Sequence, residues 1–365
     1  TVYTGYQFGN YFRINKTTRE PVYITPQHDL GERPYRWNWE SPIWLSVHNP
    51  DILYMGSNRF HRSFNKGKDF QTLSKDLTGG GKKGDVAFGT LTTLHESPLK
   101  FGLIYCGSDD GLIHVTKDGG YTWSRITNGI PANMWVSQVW ASAHKESRVF
   151  CSLNAMRTDN YTSYVFVSED YGTSWRRIAA DLPMEPVNVV KEDPINEKVI
   201  YVGTDNGLYI SLNGGLTCMS MMKDLPNVAV HDLAIHPRDK EIIVGTHGRS
   251  IYVADVSLVQ QLVDSVLSKD YYLFATKSMK WRKGWGDKDA VYDEPSVPET
   301  KFSFFSGIKS SITWEIKCDS TVSLYKNTQT CGKGINYLIY DLSIDEKAKE
   351  AYEEVLNKNK KNDSD

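Results

Sequence analysis

Three aspartates, four arginines and a set of large aromatic residues could carry chemistry in this sequence. Asp109 and Asp205 each sit in a Gly-Ser/Thr-Asp-x-Gly stretch, Gly107 to Gly111 and Gly203 to Gly207. Asp159 lies in a longer polar stretch with Arg157, Asn160 and Tyr161. Two carboxyls at a suitable separation can hydrolyse a glycoside, so these three aspartates are the catalytic candidates. Arg36, Arg59, Arg157 and Arg249 can each hold a carboxylate through two parallel bonds. Trp37, Trp39 and Tyr161 offer faces that stack on sugars or peptide side chains, and His247 stands beside Arg249. These eight residues are the ligand-binding candidates. A sialidase-like site would need three arginines and a tyrosine, and the sequence supplies the count without fixing the geometry. The competing reading is structural. Asp109 and Asp205 can each hold their own turn, and His247 with Arg249 can lock a last repeat to the next domain. Arg36, Trp37 and Trp39 lie in a long loop that needs either a packing partner or a ligand.

Whether these residues meet depends on the elements that carry them. A pattern Ser/Thr-x-Asp/Asn-x-Gly-x-x-aromatic recurs four times, starting at Ser63, Thr116, Ser168 and Ser211. The last copy has Cys218 in the aromatic position. A period of this size marks an array of similar units. Asp or Asn in the turn bonds its own backbone, and Gly supplies the positive φ that closes a hairpin. The aromatic is expected to fold back onto its unit, which makes Asn65, Asp118, Trp123, Asp170, Trp175 and Asn213 structural residues. As a buried staple, Trp123 truncated to Ala is expected to cost roughly 3–5 kcal/mol. A calcium site is disfavoured, because one carboxylate per box is too few oxygen ligands. No metal and no cofactor is expected.

Each unit reads as four short strands with the box between the third and fourth. The clearest runs are Gln138–Ser142, Arg148–Leu153, Tyr164–Ser168 and Ser174–Ile178. Short strands in regular fours predict an all-β propeller. Val2–Phe8, Tyr11–Asn15 and Val22–Thr25 match second to fourth strands, and Val228–Ile235, Ile242–Gly245 and Ser250–Ala254 match first to third. This surplus suggests the C-terminal part of a larger ring. Strand order puts the boxes on one face. Loops joining strands two to three, and four to the next first strand, lie on the other, and every catalytic or ligand-binding candidate falls in one of them. Loops on a rigid scaffold are where function tends to lie.

After residue 256 the texture changes. Ser257 can cap a helix over 257–270 with Leu258, Leu262, Val263, Val266 and Leu267 on one face. A loop, Lys280–Glu299, carries Trp281 and Trp285. Strand patterns at Lys301–Ser306, Ser311–Lys317, Thr321–Tyr325 and Ile335–Leu342 suggest a small β-sandwich-like domain over 271–343. Ser343 to Glu346 reads as a capping box opening a terminal helix with Ala348, Tyr352 and Val355 in line. The polar tail Asn357–Asp365 is expected to fray.

The bulk composition narrows the classes. Net charge is −2 over 365 residues, which gives no electrostatic reason to expect nucleic acid. No apolar run is long enough to cross a bilayer. Cys106 and Cys151 occupy equivalent places and read as buried apolar side chains. Cys318 and Cys331 could pair across a hairpin in an oxidising compartment. Gly79 to Asp85 lacks the Lys-Ser/Thr and following helix of a phosphate loop. Asn15, Asn160 and Asn362 stand in Asn-x-Ser/Thr sequences.

With the boxes, several stretches point to one family: Pro34-Tyr-Arg-Trp-Asn-Trp39, Glu96-Ser-Pro98, Glu192-Asp-Pro194, Val230-His-Asp-Leu233 and Gly245-Thr-His-Gly-Arg249. Together they resemble the bacterial sortilin/VPS10-like Asp-box (BNR-repeat) β-propellers, often labelled glycosyl hydrolases. The resemblance covers about residues 1–256, and Gly334 to Asp341 is similar to a strand of that family's terminal β-domain. It implies export to the periplasm, the cell surface or beyond. The expected role is a module that binds a carbohydrate or peptide through its loop face. A glycoside hydrolase using Asp109, Asp159 or Asp205, and a structural subunit of an envelope complex, are the alternatives.

Overall fold

The computed structural model describes residues 1–362 except 85, 86, 277, 281, 289, 296 and 319–321; for 358–362 it describes the backbone alone. Trp281, Thr321, Asp85 and the end of the polar tail therefore lie outside the described residues. The chain divides into two compact units, Thr1–Gln260 and Gln261–Asp365.

The first unit is six antiparallel sheets in sequence, each with its strands in chain order. The first has Val2–Tyr6, Asn10–Ile14 and Pro21–Tyr23. The second has Ile43–Leu45, Leu53–Gly56, Phe60–Ser63 and Gln71–Thr72. The third has Leu91–Glu96, Ile104–Ser108, Ile113–Thr116 and Ser124–Arg125. The fourth has Trp135–Ala141, Val149–Asn154, Tyr164–Ser168 and Arg176–Ile178. The fifth has Val187–Glu192, Ile200–Thr204, Leu208–Ser211 and Met219–Ser220. The sixth has Val230–His236, Glu241–Thr246 and Ile251–Asp255.

From the second sheet to the sixth, the first strand of each packs on the first strand of the next, so these strands run nearest a common axis. Second strands are covered on both faces by neighbouring sheets. In the second to fifth sheets they read as continuous apolar runs, such as Ile104-Tyr-Cys106 and Ile200-Tyr-Val202, and are buried along almost their whole length. Cys106 and Cys151 are among them, and burial pushes both thiols up, away from reactivity.

The four boxes repeat the same pattern of hydrogen bonds. In each, the Ser or Thr hydroxyl donates to the Asp or Asn two residues on, at 2.7–2.9 Å. The same hydroxyl accepts from the Gly N–H four residues on, at 2.7–2.9 Å. The Asp or Asn then accepts a backbone N–H four residues further along. Gly67, Gly120, Gly172 and Gly215 all have positive φ. A Cβ there would also crowd Ile24 at Gly67, and collide with Phe60, Ile126 and Ile178 of the preceding unit at the other three. Glycine is thus required twice over.

The aromatic folds back only in part: Trp123 Nε1 donates to the Gly120 carbonyl of its own box at 2.9 Å, while the rings themselves reach the preceding sheet. Trp123 packs edge-on against Phe60 of the preceding sheet at 5.1 Å, and Trp175 Nε1 donates to the Ile126 carbonyl at 2.7 Å. Both indoles are half-buried. The box is a staple between units.

Asp118 and Asp170 are held down to about 2, first by the hydroxyls of Thr122 and Ser174 and then by backbone N–H groups. A carboxylate depressed below its unfolded value near 4 contributes stability above that value, which is lost as pH falls through about 2. We expect the urea midpoint to drop between pH 5 and pH 2.5. In an Asp118→Asn/Asp170→Asn variant the drop should be smaller, because Asn65 and Asn213 already make the same bonds without a charge. An equal drop in both proteins would contradict this.

The expected helix over 257–270 is two four-residue helices, Ser257–Gln260 and Asp264–Leu267. Val263 between them is extended, at φ −86° and ψ 165°. Asp264 then stands in a first turn, where an acidic side chain is favoured.

In the second unit, Tyr271–Leu273, Thr300–Ser306 and Gly334–Tyr340 form one sheet, and Ser310–Cys318 pairs with Val322–Cys331 in a hairpin. Phe304, Trp314, Cys331, Leu338 and Tyr340 share a core drawn from both. The short strand Tyr271–Leu273 escapes the sequence pattern, and Trp285 of the long loop is half-buried. Cys318 and Cys331 do not pair. Ser310 faces Cys331 and Cys318 faces Val322, so the two thiols sit at opposite ends of the hairpin. At roughly 3.3 Å per residue they are far beyond disulfide reach. The capping box is also absent. Ser343 N–H bonds Asp341, Asp345 precedes a short turn Glu346–Ala348 without a side-chain cap, and Lys349–Asn362 follows as helix. The backbone is thus helical to Asn362, where fraying was expected. No described helix is long and apolar enough to cross a membrane.

Candidate functional site

The first strands of the third to sixth sheets share an irregularity. Each pairing slips by one residue near the strand start: between Leu91 and Thr93, Val136 and Gln138, Val187 and Val189, and Val230 and Asp232. The extra residue is Thr92, Ser137, Asn188 or His231. A β-bulge re-aims the side chain it carries. All four line one cavity of about 290 Å³.

Loops of the same face complete its wall. Asn38, Trp39 and Glu40 come from the loop after the first sheet; Asn154 ends the fourth sheet's second strand, Met156 and Arg157 follow it, and Trp135 starts that sheet. Arg157 lies 4.1 Å over the Trp135 ring and has no ion pair among the described residues. Trp39 is 58% exposed, with its edge against Phe8 at 5.4 Å. His231 stacks on His247 at 5.1 Å. Asn154 donates to Asn188 at 2.8 Å, and Asn188 donates to Asp205 at 2.9 Å, which fixes both amides. Glu40 is the one carboxylate among the described lining residues.

Two bulge hydroxyls also tie the sheets together. Thr92 Oγ1 donates to the Val136 carbonyl at 2.6 Å, and Ser137 Oγ to the Val187 carbonyl at 2.7 Å. Three positions further along these strands, and at Trp44 of the second sheet, large side chains stack in a row. Trp44 meets His95 at 4.5 Å, His95 meets Trp140 at 3.9 Å, and Lys191 Nζ lies 4.7 Å over Trp140. Burial, and then Lys191, hold His95 well below the usual histidine range. Its neutral Nδ1 accepts the Ala141 N–H at 3.0 Å.

The candidates from the sequence divide clearly. Trp39 and Arg157 meet in the cavity, and His247 reaches it through His231. Asp205 stands one bond behind its wall. Asp109 is buried and accepts from Gly89 N–H, Thr90 N–H and the Thr90 hydroxyl at 2.6–3.0 Å. It closes the loop before the third sheet, and its desolvation raises its pKa. Asp159 is exposed in the left-handed region, outside the lining. Arg36 is consumed by its own surroundings, donating to Asp76, Thr78 and the Gly89 carbonyl. Trp37 is half-buried, 5.7 Å from His61. Arg59 faces Glu32 at 3.5 Å and Tyr35, away from the cavity. Tyr161 and Arg249 are exposed and outside the lining. The box residues Asn65, Asp118, Trp123, Asp170, Trp175 and Asn213 lie at the opposite ends of their sheets.

Thr92, Ser137, Asn154 and Asn188 were not singled out from sequence, and His231 only within the stretch Val230 to Leu233. A signal existed: each bulge residue is the polar one after the apolar residue that opens its strand core, in Leu91-Thr, Val136-Ser, Val187-Asn and Val230-His.

No protein-family model matches the chain, and no curated protein sequence matches it. Solved structures do. The chain is similar to the GH74 xyloglucanase from Xanthomonas campestris, with 18% identity and a TM-score of 0.52 over 68% of this chain and 41% of that one. It is similar to the GH74 enzyme of Niastella koreensis, with 16% identity and a TM-score of 0.50 over 67% and 41%. The fold is a β-propeller. At these identities the likeness concerns the fold and carries no activity with it. The chain spans about two fifths of the length of these enzymes. The sheets of the first unit are accordingly its blades, and the cavity lies where their inner strands begin.

Proposed function

We propose that this propeller is an exported binding module whose axial pocket takes a carbohydrate. The observation that carries the reading is the repeated bulge. Four successive inner strands turn Thr92, Ser137, Asn188 and His231 into one pocket that also presents Trp39 and an unpaired Arg157. Small ligands are held this way, by an apolar or aromatic wall and a few fixed polar groups. Asn154 and Asn188 are fixed by their mutual bond and by Asp205. The resemblance to sortilin/VPS10-like Asp-box proteins supports export and a larger ring of which residues 1–256 form blades. It also supports a separate β-domain over 271–343. A peptide ligand or an envelope complex would use the same face.

Hydrolysis is the less favoured reading. It needs two carboxyls flanking the bond, whereas Asp109 is buried and Asp205 is engaged behind Asn188. The test is a glycan array and hydrolysis screen on the chain. A glycan should bind without release of product, and Trp39→Ala and Arg157→Ala should each weaken it at least tenfold, about 1.4 kcal/mol. Absence of glycan binding would overturn the carbohydrate reading, and sugar release would restore the hydrolase.

A further inference from the structure

A second cavity, of about 620 Å³, lies between the outer strands of the second and third blades, away from the axial pocket. Arg59, Lys75, Arg125 and His114 line it with Tyr121 and Trp123, and no carboxylate does so among its described lining residues. His114 and Arg125 are direct cross-strand partners, so their side chains leave the sheet on one side. Arg125 Nε donates to Thr127 at 2.7 Å. Neither Arg125 nor Lys75 has an ion pair among the described residues. The one ion pair of Arg59 among the described residues is the 3.5 Å approach to Glu32. His114 Nδ1 is buried with no hydrogen-bond partner.

Two costs are therefore left standing in this groove. Cations gathered around one space repel, and a buried ring nitrogen lacks its partner. An anion would relieve both. Burial, and next Arg125, pull His114 down to about 4, with Asp110 acting the other way. The ring is neutral near pH 7 and able to offer an N–H at Nδ1 without adding charge.

We propose that this groove binds a sulfate or phosphate group, free or carried on a saccharide. Lys75 and Arg125 supply the charge, His114 Nδ1 a directed donor, and Tyr121, exposed at the rim, a face for a sugar ring. The site is independent of the axial pocket. The test is calorimetric titration of the whole chain at low salt. The probes are a sulfated oligosaccharide, its desulfated counterpart, inorganic sulfate and inorganic phosphate. At least one anionic probe should bind, and the desulfated sugar should bind at least tenfold more weakly than the sulfated one at this groove. Lys75→Gln/Arg125→Gln should lose at least tenfold in affinity for the anion. His114→Phe, which keeps a ring without the donor, should lose severalfold, and Arg176→Gln, an exposed cation outside both pockets, should bind as the parent does. Tighter binding of the sulfated sugar than of either ion assigns the group to a saccharide; equal binding assigns it to the free ion. No binding of any anion, or full affinity in the double variant, overturns the proposal.

Discussion

Arg148→Ala is expected to lower the unfolding free energy by about 3–5 kcal/mol, because it strands a buried carboxylate. Glu192, at the end of the fifth blade's inner strand, is fully buried. It accepts from Ser142 Oγ at 2.6 Å, the Ala143 N–H at 3.1 Å and the Arg148 guanidinium at 2.9 Å. Arg148 also reaches Glu169 and Glu197, each at 2.9 Å, but those partners are far more exposed and contribute little. Removing the guanidinium leaves Glu192 with neutral donors only. Urea unfolding measures the loss. Adding Glu192→Gln to Arg148→Ala should recover part of it, since the stranded charge is then gone, and a double-mutant cycle isolates the coupling. A loss below about 1 kcal/mol would mean that Ser142 and Ala143 suffice.

Phe60→Ala should cost about 3–5 kcal/mol, as truncation of a buried aromatic that cannot be refilled. Phe60 is fully buried, stacks on Tyr54 at 5.5 Å and meets Trp123 at 5.1 Å. Gly120 is pressed so closely to its ring that a Cβ there would lie 2.9 Å away. Trp123→Ala removes the other half of this contact. Because its indole is half-exposed, its cost is about 2 kcal/mol, below the roughly 3–5 kcal/mol expected for a fully buried staple. The two losses should be non-additive, since each deletes the same inter-blade contact. Additive losses would mean that Trp123 contributes mainly through its bond to Gly120 within its own blade.

The strand plan was legible because each unit repeats both its apolar runs and its turn. Tyr164–Ser168 matches the sequence expectation to the residue, and most other strands shift by one or two. The single helix after residue 256 failed at Val263, where periodicity cannot see an extended residue. The capping box failed because Ser343 is engaged with Asp341 before any helix begins. The disulfide failed on register, which spacing alone does not supply.

The site was less legible than the fold. Trp39 and Arg157 were found because large polar and aromatic side chains in loops demand an explanation. Arg36 met the same criterion and is instead bound by Asp76, Thr78 and Gly89. A second repeat also went unread. Trp44, Ser46, His48 and Glu96 recur as Trp140, Ser142, His144 and Glu192, each ninety-six residues on. The recurrence has a physical basis: Ser46 and Ser142 each donate to the Glu of the next blade, and His48 and His144 each bond the carbonyl after it.

The sequence by itself determined the repeat, the strands and the hairpin boxes, because each depends on residues within a few positions of one another. Backbone turns, alternation and glycine at positive φ are local. Tertiary structure alone decided that the boxes staple neighbouring blades and that Asp109 is a loop anchor. It also decided that bulges at Thr92, Ser137, Asn188 and His231 face one pocket. Each of these depends on a partner some twenty to sixty residues away. A slip of one residue in pairing, which the chain marks only by a polar residue after the opening apolar one, reverses the side on which a side chain stands.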